Sequence, residues 1–151
     1  LKVVVDYPSR DEERMIINRV TSDPQIHLNP VVDVETILHA RKIVQQIYVD
    51  DKVTEYVLDL IGATRHPAAI ALPELAELIS YGASPRAGIY LINAARANAF
   101  INGRGYVIPD DIKELASDVL RHRIIVSYEA ESQEVTSSEI IQKILDHIKV
   151  P

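Results

Sequence analysis

The sequence predicts a mostly α-helical bundle with a short β-strand segment at its N-terminal end. In several windows, apolar residues recur at i, i+3, i+4, i+7 and i+8, which is the spacing of a helix with one buried face. Helix-starting signals such as Asp, Ser-Pro and Thr-x-x-Glu precede these windows. The opening run LKVVVDY lacks that spacing and is rich in valine, which favours a strand.

The N-terminal part of the chain contains the predicted strand, one helix and a linker. The strand ends at Pro8, and a capping box of Ser9 and Glu12 then opens a helix over about residues 10–20. TSDPQIHLNP, at 21–30, is typical of a linker because it combines two prolines with turn-forming residues.

Two amphipathic helices follow the linker. The first runs from Asp33 and the second from Asp50, whose side chain can cap the free N–H groups of a helix start. RHPAAIALP, at 65–73, ends the second helix, and PELAELIS predicts about two turns of another. The predicted buried faces are Val34, Ile37, Leu38, Val44, Ile47 and Tyr48 in the first helix, and Val53, Tyr56, Val57, Leu60 and Ile61 in the second.

The C-terminal half is predicted to contain three more helices. One starts at Ser84 and stops at the two-glycine turn NGRG, and another starts at Pro109 with acidic residues in its first turn, where the helix dipole favours them. A Thr136/Glu139 capping box opens the last helix, after a polar loop EAESQEV. YVI predicts a very short strand, and RIIVSY is expected to pair with residues 105–108. The predicted buried residues are Ile112, Leu115, Ala116, Val119 and Leu120 in the Pro109 helix, and Ile141, Ile144, Leu145 and Ile148 in the last.

The composition is that of an ordinary globular domain, 47% hydrophobic and 25% charged. A net charge of −6 and a pI near 5.3 disfavour non-specific nucleic-acid binding, which needs a basic surface. The absence of cysteine excludes disulfides and thiolate chemistry, and it is consistent with a cytoplasmic location. No apolar run approaches the ~18 residues of a membrane span, and no signal peptide is visible. Since the chain opens on Leu1 within an apolar run, we expect it to be a piece of a longer protein.

Few residues suggest catalysis. The histidines never fall at metal-ligand spacing from one another or from an acidic pair, so we expect no metal site. The acidic pairs Asp50-Asp51 and Asp110-Asp111 lie at predicted helix starts, where capping explains them without an acid–base role. The chain has neither a G-x-x-x-x-G-K-S/T loop nor a G-x-G-x-x-G loop, and therefore no phosphate cradle of its own.

Arg86 occupies an unfavourable place. It lies in the first turn of the helix that Ser84 and Pro85 start, where a cation opposes the positive end of the helix dipole at a cost of about 0.3–1 kcal/mol. A bound anion would make this arrangement favourable instead, since free N–H groups at a helix start and an arginine can hold the same phosphate. The residues therefore favour a phosphate site at Arg86. A surface arginine that extends its side chain along apolar neighbours into solvent, or that pairs with a neighbouring acid, is an alternative that the sequence leaves open.

Several longer motifs resemble a known family. GASPRA, at 82–87, followed by R-G-Y-V-x-P-x-D-x-K-x-L-A and V-L-R-H-R, is similar to the second sensor motif and lid domain of the MoxR family of AAA+ ATPases. VDDKVTEYVLDLIGATR, at 49–65, resembles a lid helix of that family that ends in A-T-R. LKVVVDYPSRDEER resembles the last strand and following helix of its nucleotide-binding core, and SYEAESQEVTSSEIIQKILDHIKVP resembles its closing segment. HPAAIALPELAELIS, at 66–80, is longer than the loop of many relatives, so we expect the local lid geometry to differ.

The resemblance implies a domain organisation and a function. Residues 1–22 would be the tail of an AAA+ α/β core, 23–32 the linker, and 33–151 the helical lid. The intact protein would be an ATPase that uses ATP with Mg²⁺, forms a homo-hexamer, and remodels or assembles client complexes, often beside proteins with von Willebrand factor A domains. The Walker motifs and the arginine finger would lie upstream of Leu1, so the fragment alone is expected to be inactive.

The resemblance also implies roles for individual residues. Arg86 corresponds to the sensor arginine that reaches the γ-phosphate of ATP, and Ser84 and Pro85 start the helix that aims it. Ile16 or Ile17 would lie near the adenine. The lid would close when Arg86 finds a γ-phosphate and open when that charge leaves.

Two alternatives stay open at this point. A helical protein-interaction module with no nucleotide role would also suit an acidic helical bundle. A DNA-binding domain built on the helix at 109–120 is disfavoured by the net charge of −6 and by two aspartates at the helix start.

Overall fold

The structure is a computed structural model that describes residues 1–22 and 28–151. Within these residues the chain is mostly helical and has one small antiparallel sheet, so the predicted fold class is confirmed. The predicted linker at 23–32 lies partly outside the described residues. The helices are α1 (Arg10–Ser22), α2 (Val34–Val44), α3 (Asp51–Ala63), α4 (Leu75–Leu78), α5 (Pro85–Ile101), α6 (Pro109–Leu120), α7 (Tyr128–Ser132) and α8 (Ser137–His147), and the strands are β1 (Ile79–Tyr81) and β2 (Ile125–Val126).

The hydrophobic core lies among α3, α5, α6 and α8. All five predicted core positions of α3 are buried, and α8 buries Ile140 in addition to its predicted residues. The buried face of α5 has a small side chain at three of its four positions, so α3 and α6 can approach it closely. These four positions are Ala87, Leu91, Ala95 and Ala99. The core residues therefore pack against α5 along most of its length.

Two predicted capping boxes form at helix starts. Ser9 Oγ accepts from the Glu12 N–H, and the Glu12 carboxylate accepts from the Ser9 N–H. Thr136 and Glu139 make the same reciprocal pair at the start of α8. Asp50 caps α3 as expected. These bonds satisfy backbone donors that an isolated helix leaves free.

The predicted N-terminal strand is not formed. Residues 1–9 have no regular secondary structure, and the Lys2 N–H donates instead to the Asp118 carbonyl of α6 at 2.8 Å. A strand needs a neighbour to complete its hydrogen-bond ladder, and no other strand of the described chain lies beside this segment. Its apolar side chains are all more than half exposed: Leu1, Val3, Val4, Val5 and Tyr7.

The predicted buried face of α2 is also largely exposed. The helix ends at Val44 rather than continuing to Tyr48, and no residue within it is buried. Ile47 reaches the core only from the turn that follows the helix. Three apolar residues at the beginning of the helix are about half exposed or more, namely Val34, Ile37 and Leu38. Amphipathic spacing shows which face can be buried, but burial requires a partner surface.

The strands pair differently from the prediction. RIIVSY contributes β2, whose partner is β1 rather than residues 105–108. PELAELIS makes a single helical turn, α4, before turning into β1. Tyr106 instead forms a parallel bridge with Tyr48, in which the Tyr48 N–H donates to the Gly105 carbonyl at 3.0 Å and the Val107 N–H to the Tyr48 carbonyl at 2.9 Å.

The segment predicted as a polar loop, EAESQEV, contributes most of the short helix α7, which buries Ala130. Ser127 caps this helix by accepting from the Ala130 N–H. None of the helices in the described part of the chain is both long enough and apolar enough to cross a membrane.

Candidate functional site

The start of α5 has the backbone of a capped helix without the side-chain cap. Ser84 occupies the N-cap position with φ −76° and ψ 164°, but its hydroxyl makes no capping hydrogen bond, contrary to the expectation from Ser-Pro. Pro85 has no N–H, and the Ala87 N–H donates to the Ser84 carbonyl at 2.9 Å. This leaves the Arg86 N–H without an acceptor in residues 1–22 and 28–151. The positive end of the helix is therefore open to solvent.

The Arg86 side chain is exposed on this helix end. The first turn of α5 contains no acidic residue. Three ion pairs form among the described residues, Arg14–Asp11, Arg104–Asp111 and Arg121–Asp118, and Arg86 belongs to none of them. Of the two forms of the surface-arginine alternative, pairing with a local acid is therefore not what the structure shows. The exposed Arg86 and its free N–H therefore lie at one helix end with no acidic partner in the described chain.

Thr64 fixes this helix end to α3. It is the C-cap residue of α3 and only 1% exposed. Its Oγ1 donates to the Ile61 carbonyl at 2.7 Å and accepts from the Ala83 N–H at 2.9 Å. One hydroxyl thus satisfies an end carbonyl of α3 and the backbone immediately before α5, and it sets where Ser84 begins the helix.

Gly82 allows the two segments to meet. A Cβ at this position would overlap the carbonyl group of Thr64, which belongs to the backbone and cannot rotate away. It would also lie 2.8 Å from Cγ of Arg65. Only glycine therefore permits the close approach on which the Thr64–Ala83 hydrogen bond depends.

A partly buried ion pair holds the other end of α5 to α6. Arg104 donates to both carboxylate oxygens of Asp111, at 2.7 and 2.5 Å, and Asn98 of α5 donates to the same carboxylate at 2.9 Å. Asp111 also accepts from the Ile108 N–H at 2.9 Å, which caps α6. Burial alone would raise the pKa of Asp111, but the hydrogen bonds and the charge of Arg104 outweigh it and hold that pKa below its usual value. The motif R-G-Y-V-x-P-x-D is therefore a structural clamp.

The structure does not join every predicted site residue into one pocket. Ser84, Pro85 and Arg86 lie together at the start of α5. Ile16 lies on α1 in a separate cavity of about 460 Å³, and Ile17 lines another on the same helix. Both isoleucines are more than half exposed. No group of three or more acidic or histidine side chains in the described ranges could hold a metal ion.

Sequence reasoning missed Thr64 and Gly82, although it singled out the motifs A-T-R and G-A-S-P-R that contain them. Residue type alone did not mark either position, because threonine is favoured at helix starts rather than at the helix end where Thr64 lies, and Gly82 lies two residues before the N-cap Ser84. What the sequence did not show is that the two motifs touch.

Comparisons with known proteins agree on one kind of domain. Residues 74–144 match the family model of the AAA lid domain. Chaperone MoxR1 of Mycobacterium tuberculosis is 35% identical over 99% of this chain, and Protein MoxR of Paracoccus denitrificans is 32% identical over 84% of it. The solved structure of a candidate ATPase from Cytophaga hutchinsonii superposes on 97% of the chain with a TM-score of 0.89 and 36% identity.

The chain spans less than half the length of these proteins. It covers 40% of MoxR1, 41% of the Paracoccus MoxR and 45% of the solved structure. The similarity therefore describes only the matching part of each longer protein.

Proposed function

The chain carries an AAA lid domain and belongs to the MoxR-like AAA+ family, and from that premise we propose that it closes over ATP and offers Arg86 to the γ-phosphate. The observation that supports this most directly is the open start of α5. There Arg86 is exposed, has no acidic partner among the described residues, and sits beside a free backbone N–H. Without a bound anion, the positive charge of Arg86 at this helix start raises the free energy of the folded chain. A γ-phosphate bound there would remove that unfavourable contribution.

The packing around Arg86 suits a sensor. A sensor arginine must keep its direction while the lid moves, because a misplacement of about 1 Å is costly in catalysis. The Thr64 hydroxyl and the close approach at Gly82 hold the start of α5, and the Arg104–Asp111 pair holds its end. Movement of the whole lid would then carry the guanidinium toward or away from the nucleotide as a rigid unit.

The apolar surfaces without partners support the second part of the proposal, that the lid works against an AAA+ core of its own chain. Residues 1–9, α1 and the beginning of α2 expose large apolar side chains, including Met15, Ile16, Ile17 and Val20 on one helix. Large apolar side chains exposed together on one helix, as on α1, are typical of an interface. In this arrangement residues 1–22 complete the core, and Ile16 or Ile17 lies near the adenine.

The wider assignment rests on family membership. We propose that the longer protein binds ATP with Mg²⁺, assembles as a homo-hexamer, and couples hydrolysis to chaperone-like remodelling of client complexes, with von Willebrand factor A domain proteins among its partners. The Mg²⁺ ligands would come from the core, since the described residues contain no acidic or histidine cluster for a metal.

Two measurements test the role of Arg86. In the longer ATPase, Arg86→Ala is expected to retain measurable nucleotide binding but to lose most ATPase turnover, because an arginine that contacts the transferring phosphoryl group acts on the transition state. In the 151-residue chain without nucleotide, the same substitution is expected to raise the free energy of unfolding by about 0.3–1 kcal/mol, because it removes a cation from the positive end of a helix.

Lys143→Ala is the matched control, since it removes an exposed cation from α8 without touching α5. It should leave turnover unchanged. Unchanged turnover in Arg86→Ala would remove Arg86 from the mechanism. Micromolar ATP affinity of the 151-residue chain alone, measured by calorimetry, would contradict the assignment as a whole, because one sensor residue cannot replace a phosphate loop.

A further inference from the structure

A second group of positive charges lies between α2 and α5. Six residues line a cleft of about 260 Å³, which we call the arginine cleft: Arg41, Val44, Gln45, Asn93, Arg96 and Ala97. The two arginines come from different helices, and Arg96 is ten residues, or about 15 Å, further along α5 than Arg86. The cleft is therefore separate from the helix start to which the proposed function refers.

Neither arginine of this cleft has a partner in the part of the chain that the structure describes. Arg41 and Arg96 belong to none of its ion pairs. The Nε–H of Arg96 is buried and has no hydrogen-bond acceptor among the described atoms. A donor that has lost water without gaining an acceptor raises the free energy of the folded state, so an acceptor in this cleft would be stabilising.

The chemistry of the lining residues indicates what that acceptor is. Two arginines and two residues with side-chain amides, Gln45 and Asn93, are among the lining residues, and no acidic residue is. Two fixed positive charges match a dianion better than a single carboxylate, and the planar fork of arginine suits phosphate oxygens. We propose that the arginine cleft binds a phosphate group that carries two negative charges.

The phosphate can be inorganic or part of a larger molecule. The surface next to the cleft allows these two sources to be distinguished. An apolar groove of about 360 Å³ runs between α3 and α5 and shares Asn93 and Arg96 with the cleft. Leu58, Ile89 and Ile92 line this groove. A phosphate ester would place its apolar part there, whereas inorganic phosphate would leave the groove empty.

Nuclear magnetic resonance titrations of the 151-residue chain test the proposal. Inorganic phosphate is expected to shift the Arg96 Nε–Hε resonance and the Asn93 amide along one saturating curve. Arg41→Gln and Arg96→Gln are each expected to weaken binding about tenfold or more, because each removes a charge-assisted contact. Phenyl phosphate should bind more tightly than inorganic phosphate and also shift Ile89 and Ile92 if the ligand is an ester. Equal affinities would identify inorganic phosphate as the source.

Two control variants test whether phosphate binding is specific to the arginine cleft. Lys42→Gln removes the same charge from an adjacent exposed position of α2 that does not line the cleft, and it should change the dissociation constant by less than about twofold. Arg86→Gln should also leave it unchanged, which keeps this site distinct from the proposed sensor. The proposal is overturned if the Arg96 resonance does not shift, or if Lys42→Gln weakens binding as much as Arg41→Gln. Because Arg41 is exposed, Arg41→Gln should fold normally. Its effect on phosphate binding therefore tests the proposal even if Arg96→Gln fails to fold.

Discussion

The hydroxyl of Thr64 is the contact whose removal tests the architecture of the candidate site most directly. Thr64→Val keeps the β-branched shape and replaces only the hydroxyl by a methyl group. It leaves the Ala83 N–H without its acceptor and the Ile61 carbonyl without the donor at 2.7 Å. Ala83 is fully buried, so water cannot take the place of the lost partner.

The magnitude follows chiefly from the orphaned Ala83 N–H, because the Ile61 carbonyl still accepts from Arg65 Nε at 3.5 Å. A buried donor or acceptor that loses its partner costs about 1–3 kcal/mol, and the added methyl group returns part of that through burial. We expect a net loss of about 2 kcal/mol in the free energy of unfolding. With a urea m-value of about 2 kcal/mol/M, the midpoint of unfolding should fall by about 1 M while the m-value stays unchanged.

Thr54→Val provides a matched control on the same helix. Thr54 is exposed, and its hydroxyl makes only a 3.3 Å hydrogen bond to the Asp50 carbonyl. Its substitution should change the stability by less than about 0.5 kcal/mol. If Thr64→Val lowers the urea midpoint no more than Thr54→Val does, then the Thr64–Ala83 hydrogen bond does not hold the start of α5 and the reasoning fails.

Two further predictions concern the other contacts of α5. Gly82→Ala should lower the free energy of unfolding by about 1–3 kcal/mol because its Cβ meets backbone, whereas Gly62→Ala, which has open space within α3, should raise it by about 0.5–1 kcal/mol. A loss in Gly62→Ala as large as that in Gly82→Ala would exclude the steric explanation. Asp111→Asn should cost about 2 kcal/mol at neutral pH because the partly exposed Arg104 loses its charged partner, against less than about 0.5 kcal/mol for exposed Asp110→Asn. Because the folded-state pKa of Asp111 is depressed, its contribution is complete above the unfolded value near 3.8 and is lost as pH falls through the folded value. Urea midpoints of wild type and Asp111→Asn should therefore converge below about pH 3.8, and a constant gap would refute this linkage.

Local signals predicted much of the fold. The starts of α1, α3 and α8 follow from capping residues, and the buried faces of α3 and α6 follow from apolar spacing. Both kinds of signal involve residues no more than a few turns apart, so they can be recognised in the sequence without knowledge of the tertiary contacts. The open start of α5 illustrates the limit of such signals, because Ser84 has the right residue type and backbone and still makes no side-chain cap.

The predictions that failed concern partners distant in the chain. β1 pairs with β2 across more than forty residues, and residues 1–9 find no strand to join. The pattern of α2 shows an apolar face but not whether anything covers it. Sequence spacing does not contain this information, because it depends on which surfaces meet after the helices pack.

The sequence by itself determined the class of the fold, the helix carrying Arg86, and the family motifs in which that helix lies. Only the tertiary structure decided that A-T-R touches G-A-S-P-R through Thr64 and Gly82, that Arg104 clamps Asp111, and that Arg41 and Arg96 line one cleft without an acid. The physical reason is that helix formation responds to neighbours along the chain, whereas a binding site is made by groups that packing brings together from separate helices.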